Sequence, residues 1–192
     1  MNKLLKLFLL SLAITISQVS FGASHSKGGM MLDNALSALS LVSVKKGTAG
    51  EVHTIDKLSG SLSDAGELSV TLDLTSVNTK IEIRDERMRN NLFETGANPT
   101  ATVTAKIGKV ADGVSRVTGS LELNLHGVKK SLDFEAIAVM AGDKLVVSSA
   151  KPIIINAADF GLEGGVAKLQ ELAKLPSIAT AVPVGFVLTF AK

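Results

Sequence analysis

The chain has 192 residues, with Lys+Arg 20 against Asp+Glu 18, and no cysteine, tryptophan or tyrosine. So even a balance supplies no field to draw in nucleic acid or an anionic lipid surface, and the missing thiols exclude disulfides and cysteine-ligated metal. The length suits one domain built around a single core.

Residues 1–6 form a short head carrying Lys3 and Lys6, and 7–16 are an almost unbroken apolar run. Ser20, Gly22 and Ala23 then offer small residues for cleavage. This is the layout of a secretory signal peptide, expected over 1–22. The apolar run is shorter than the ~20 residues a spanning helix needs, which argues against an uncleaved anchor. With no cysteine after it, a lipid-modified N-terminus is excluded. The expectation is export to the periplasm as a mature chain that does not span the membrane. Losing Lys3 and Lys6 takes the basic count from 20 to 18, equal to the 18 acidic residues.

Residues 23–34 lack periodicity and are expected as a mobile lead-in to a single domain over 35–192. Segments 39–44 and 52–62 read as the first strands, with 45–48 as their turn. From 67 to 74 the alternation is strict, with Leu68, Val70, Leu72 and Leu74 on one face. It then stops. Over 75–99 charge accumulates at Arg84, Asp85, Glu86 and Arg87, and the stretch ends at Asn98-Pro99. This reads as a long connection with a short helix, of the kind that carries function or closes something off.

Alternation resumes at 100–107, turns at Asp112-Gly113, and runs cleanly over 117–125. His126-Gly127 turns the chain into a return strand at 132–136, and 141–144 is a further turn. Strands are expected at 145–155 and 182–190. One segment differs: 164–176 spaces Val166, Leu169, Leu172, Ala173 and Leu175 mostly by three or four, between Gly164-Gly165 and Pro176. It predicts a short amphipathic helix across a barrel end. Its glycine pair beside Lys168 reads first as an ordinary loop entering a helix, with a phosphate-binding helix start as the lesser alternative. The fold class is therefore all-β: an extended antiparallel barrel of about eight strands with one or two short helices in the connections.

Chemistry-bearing groups are sparse. The three histidines, His25, His53 and His126, show no metal-ligand spacing, and no nucleophile or nucleotide motif occurs. Asp85 beside Arg84 and Arg87 reads as an ion pair or cap pinning the long connection, so Arg84 and Asp85 are assigned a structural role. Neither an enzyme, a cofactor nor a metal site is expected.

Which face of the barrel is apolar decides its environment. A membrane barrel turns its apolar parity to lipid between aromatic girdles. Here the only aromatics after Phe21 are the scattered Phe93, Phe134, Phe160, Phe186 and Phe190. The apolar parity is therefore expected to point inward. The inward, ligand-binding set is Leu68, Val70, Leu72, Val103, Ala105, Leu121, Leu123, Leu125, Leu132, Phe134, Ala136, Ile153, Ile155, Val184, Phe186 and Leu188. An aliphatic lining cannot orient a polar substrate but suits a long hydrocarbon chain. At roughly 0.8 kcal/mol per buried CH₂, a few isoprene units suffice for binding.

The long connection also carries a likeness. Ser76-Val77-Asn78-Thr79, Arg84-Asp85 with Met88, Leu92-Phe93 and Asn98-Pro99-Thr100, followed by 119–128, Asp159-Phe160-Gly161-Leu162 and 184–188, resemble the signature of the YceI-like polyisoprenoid-binding family. The pattern departs at Asn98, where the family carries Tyr, at Val103, where it carries Phe, and at 156–158, which lack an Arg before Asp159. The resemblance implies a lipocalin-like barrel holding an isoprenoid lipid, of quinone or polyprenyl type, for carriage or storage. Fatty acids or fatty amides in the same cavity, or a packed β-domain acting through protein partners, are the alternatives. A homodimer is left open.

Overall fold

The alternating segments become strands whose register places the apolar parity on the inside. In the computed structural model residues 29–192 are described, so the signal peptide expected over 1–22, and His25, lie outside them. The strands are β1 (Met30–Leu32), β2 (Ala38–Lys45), β3 (Ala49–Ile55), β4 (Leu58–Leu62), β5 (Glu67–Asp73) and β6 (Val77–Asn78). After the long connection come β7 (Thr100–Lys106), β8 (Gly113–Leu125), β9 (Val128–Ala141), β10 (Lys144–Ser149), β11 (Ile153–Asn156) and β12 (Ala181–Ala191). Helix α1 (Glu82–Arg87) continues as a π-helical turn over Met88–Leu92, and α2 is Glu163–Leu172.

Eight strands close into a ring in the order β1, β4, β5, β7, β8, β9, β10, β12, and β12 pairs back with β1. Every neighbouring pair in the ring is antiparallel. This is the expected barrel of about eight strands. β12 serves two walls. Its C-terminal half lies between β10 and β1, and its N-terminal half between β11 and β2. The β2–β3 hairpin, with β6 at its edge, thereby prolongs the wall past the ring.

The two ends of the barrel differ. At the hairpin end, formed by the β4–β5 and β9–β10 turns, fully buried Leu145 and Phe190 stand opposite each other, with Met30 paired to Leu62 nearby, and these side chains fill the interior. At the helical end lie α1, the π turn, α2 and a 3₁₀ turn over Ala157–Phe160. α2 packs directly on the π turn because of Gly165. A Cβ there would come within 2.6 Å of the Asn91 carbonyl oxygen and 2.9 Å of Leu92 Cα. The second glycine of the pair is thus explained by close packing of two backbones, while a Cβ at Gly164 would meet open space. The His126-Gly127 turn joins β8 to β9 with both residues at positive φ (53° and 77°), the geometry of a two-residue hairpin.

The structure corrects three readings. Part of the stretch expected as a mobile lead-in, 29–34, is ordered: Met30–Leu32 is strand β1, paired to β4 and β12, with Met30 buried. Alternation in only three residues is too short to register as a strand. The run 52–62 is two strands, because Asn34 intervenes at the corner. Its Oδ1 accepts from Leu58 N at 2.6 Å while its Nδ2 donates to the Asp56 carbonyl at 3.1 Å. The run 145–155 is likewise two. Ala150 N still donates to the Glu135 carbonyl at 2.8 Å, but Pro152 has no N–H to offer, and beyond it β11 pairs with β12 alone.

Candidate functional site

Inside the barrel is a cavity of about 210 Å³ bordered solely by apolar side chains. Its wall takes Leu68, Val70 and Leu72 from β5, Val103 and Ala105 from β7, and Leu121, Leu123 and Leu125 from β8. Leu132 and Phe134 of β9, Ile153 and Ile155 of β11, and Val184, Phe186 and Leu188 of β12 complete the part read from sequence. These positions come together because the registers stack like parity on like. Val70 stands opposite Val103, and Val103 opposite Leu123. Ala136 is the exception. It is inward and completely buried, yet it does not border the cavity, because it belongs to the filled hairpin end with Ala138 and Leu145.

The sequence reading expected helical segments across a barrel end but left their side chains, which form the roof, out of the lining. Met88, Leu92 and Phe93 from the long connection, with Leu162 and Val166 from the second helical segment, close the helical end of the cavity. Met88 and Leu92 stand four apart on a helical turn, so the signal was present in their spacing. Leu39 and Leu41 of β2 and Ile55 of β3 also border the cavity, as Phe190 does at its base.

Arg84 and Asp85 tie this roof to the wall. Asp85 is buried, and its Oδ1 accepts from Thr79 N at 2.7 Å and from the Thr79 hydroxyl at 2.6 Å. Arg84 Nη1 donates to Glu51 Oε2, linking α1 to β3, and Lys45 Nζ reaches the other Glu51 oxygen at 2.8 Å. The hydrogen bond from Lys45 is the largest effect on the Glu51 carboxyl, and with help from the charges of Arg84 and Lys45 it holds the pKa below its ordinary value against the opposing effect of burial.

His53 sits beside this network. It precedes Ile55 by two residues on the inner side of β3, stands across from Leu41, and is only 3% exposed. Its Nδ1 is buried without a hydrogen-bond partner, a state that costs about 1–3 kcal/mol. Burial, and then the Arg84 charge, push its pKa below the ordinary 6.5, so the ring is neutral at pH 7. The Val52 carbonyl draws the pKa weakly back up without reaching hydrogen-bonding geometry. The other described histidine, His126, lies at the hairpin turn, with Nε2 at 3.1 Å from Glu94 Oε2. Among the described residues no cluster of His, Asp or Glu could hold a metal, and no helix is long and apolar enough to cross a membrane.

A closed antiparallel barrel enclosing an apolar cavity under a helical roof is a lipocalin-like architecture. The model of the YceI-like domain matches residues 15–190, and the chain belongs to that family. A polyisoprenoid-binding domain from Saccharophagus degradans, implicated in plant cell wall breakdown, is 40% identical, with a TM-score of 0.81 over 84% of this chain and 97% of that one. Burkholderia cenocepacia BcnA shares the fold at 18% identity and a TM-score of 0.66, over 82% of this chain and 98% of its own. Campylobacter jejuni YceI does so at 18% identity and a TM-score of 0.55, over 73% and 84%. Among curated protein sequences none matches the chain.

Proposed function

We propose that this protein carries or stores a lipid with a long isoprenoid tail, of quinone or polyprenyl type, within its barrel in the periplasm. The observation behind this reading is the lining of the cavity, which offers apolar surface and no polar atom to orient a small polar substrate. The similar Saccharophagus degradans domain is described as polyisoprenoid-binding, which favours an isoprenoid over a straight acyl chain. The protein acts by holding its ligand, with no bond made or broken. Solvent extraction of the purified mature protein followed by mass spectrometry tests this. A prenylated lipid in near-stoichiometric yield is expected. Recovery of fatty acids or fatty amides alone replaces the isoprenoid with the acyl reading, and consistent recovery of nothing overturns both.

Export rests on the basic head, apolar run and small residues of 1–22. Intact-mass measurement of the cellular protein is expected to show cleavage near Gly22 or Ala23. A full-length chain in the membrane fraction contradicts the periplasmic assignment.

A further inference from the structure

We propose that His53, Lys45 and Arg84 form a headgroup subsite just past the apolar residues that border the cavity, with Glu51 holding the two cations in place, and that it takes a ligand oxygen able to accept hydrogen bonds. This rests on the lipid-carrier reading above and adds the chemistry of the polar end.

The placement follows from two periodicities. On the inner face of the β2–β3 hairpin, Leu39, Leu41 and Ile55 border the cavity, and His53 and Glu51 precede Ile55 at the two-residue strand period, toward the hairpin tip. Lys45 succeeds Leu41 on the same side of β2, toward the hairpin tip. On the facing element, Arg84 precedes Met88 by one helical turn, so both lie on one side of the helical segment, and Met88 borders the cavity. The Arg84–Glu51 bond therefore bridges wall and roof at the edge where apolar lining gives way to charge.

The cluster is rich in donors and poor in free acceptors. Glu51 is occupied by both Lys45 and Arg84. The nearby carboxylate of Asp85 is turned to Thr79, whose backbone N–H and hydroxyl it accepts. The remaining N–H groups of Lys45 and Arg84 have no protein partner among the described residues. His53 Nδ1 has none either, although it is enclosed by protein on the cavity side of β3. In the tautomer that carries the ring proton on Nδ1, His53 presents an orphaned N–H near two partly exposed cations, and an acceptor at the end of an apolar tail complements all three. A quinone carbonyl and a phosphoryl oxygen share that chemistry. A plain hydrocarbon does not.

Three probes with matched tails of a few isoprene units separate the cases: a prenylated benzoquinone, the prenyl phosphate, and the hydrocarbon without a head. Affinities are measured by calorimetry for wild type, His53→Leu and Lys45→Met, the last guarding against loss of fold in the first. Each variant is expected to weaken at least one headed probe about tenfold, the effect of one lost hydrogen bond, while hydrocarbon affinity stays unchanged. A loss confined to the quinone identifies the carbonyl as the natural acceptor. A loss confined to the phosphate, deepened in Arg84→Gln and reduced by salt, identifies the phosphoryl group. Unchanged affinity for both headed probes, or an equal loss for the hydrocarbon, overturns the subsite while lipid carriage stands. If folded wild type binds none of the three, the carrier reading fails and takes the subsite with it.

Discussion

At the scale of single residues, two buried polar side chains have effects that differ in kind. His53 has a depressed pKa in the folded chain, so the unfolded chain takes up its proton first. The stability linked to it is fully present above the unfolded value of 6.5 and is lost as pH falls from there through the lower folded value. Urea unfolding across a pH series should show wild type weakening below pH 6.5 more steeply than His53→Leu. Parallel curves would remove His53 as the source. Asp85 instead fixes the start of the roof through Thr79. Asp85→Asn keeps its shape but weakens two charge-assisted bonds, and a loss of about 1–3 kcal/mol is expected by denaturant titration. An unchanged midpoint would mean the pair at Thr79 is not what holds α1.

Among elements, the contact of α2 with the π turn is the most sensitive to substitution. Gly165→Val places a side chain against the backbone of Asn91 and Leu92, which cannot move aside as a flexible side chain would. The expected result is a displaced α2, a loss of about 1–3 kcal/mol or more, and faster release of any bound lipid as the roof lifts. Retention of both stability and release rate would show that α2 tolerates a gap there. This contact also marks how far the sequence was legible at this scale. The spacing of Val166, Leu169 and Leu172 announces the helix, and two glycines at its start announce something unusual. Whether they meet a phosphate or another backbone depends on what stands opposite, and the π turn lies some seventy residues earlier in the chain. Strand breaks were hidden for a similar reason. Pro152 is visible in the sequence, but the side chain that splits 52–62 belongs to Asn34, in a stretch with no period of its own.

Across the whole molecule, parity tells which residues point inward but not which of them face empty space. β9 shows this in two successive inward positions. Phe134 borders the cavity, and Ala136 is sealed beside the packed hairpin end, filled by Leu145 of the next strand and by Phe190 from far along the chain. The same difference gives a paired test. Ala136→Trp overfills a packed region and should destabilise the fold by about 1–3 kcal/mol or more. Val103→Trp projects into the cavity from the middle of the wall, so the fold should persist with lipid recovery reduced. If both variants unfold alike, the interior is solid throughout and offers no room for a tail. The barrel class was readable because eight short segments keep one period. The cavity was only half readable, because its roof comes from helices whose apolar residues obey another.

The ring is closed by its first and last members. Strand β1 is only three residues long and pairs with β4 on one edge and, on the other, with β12, about 150 residues later. Until β12 arrives, the outer edge of β1 and the free edge of β10 stay unsatisfied, and every other link of the ring can already exist. Closure is thus the least local event in the molecule, and the slowest to be rewarded with contacts. A chain delivered N-terminus first holds an open, slotted trough until β12 appears, so the barrel gains its last seam only when that strand is delivered.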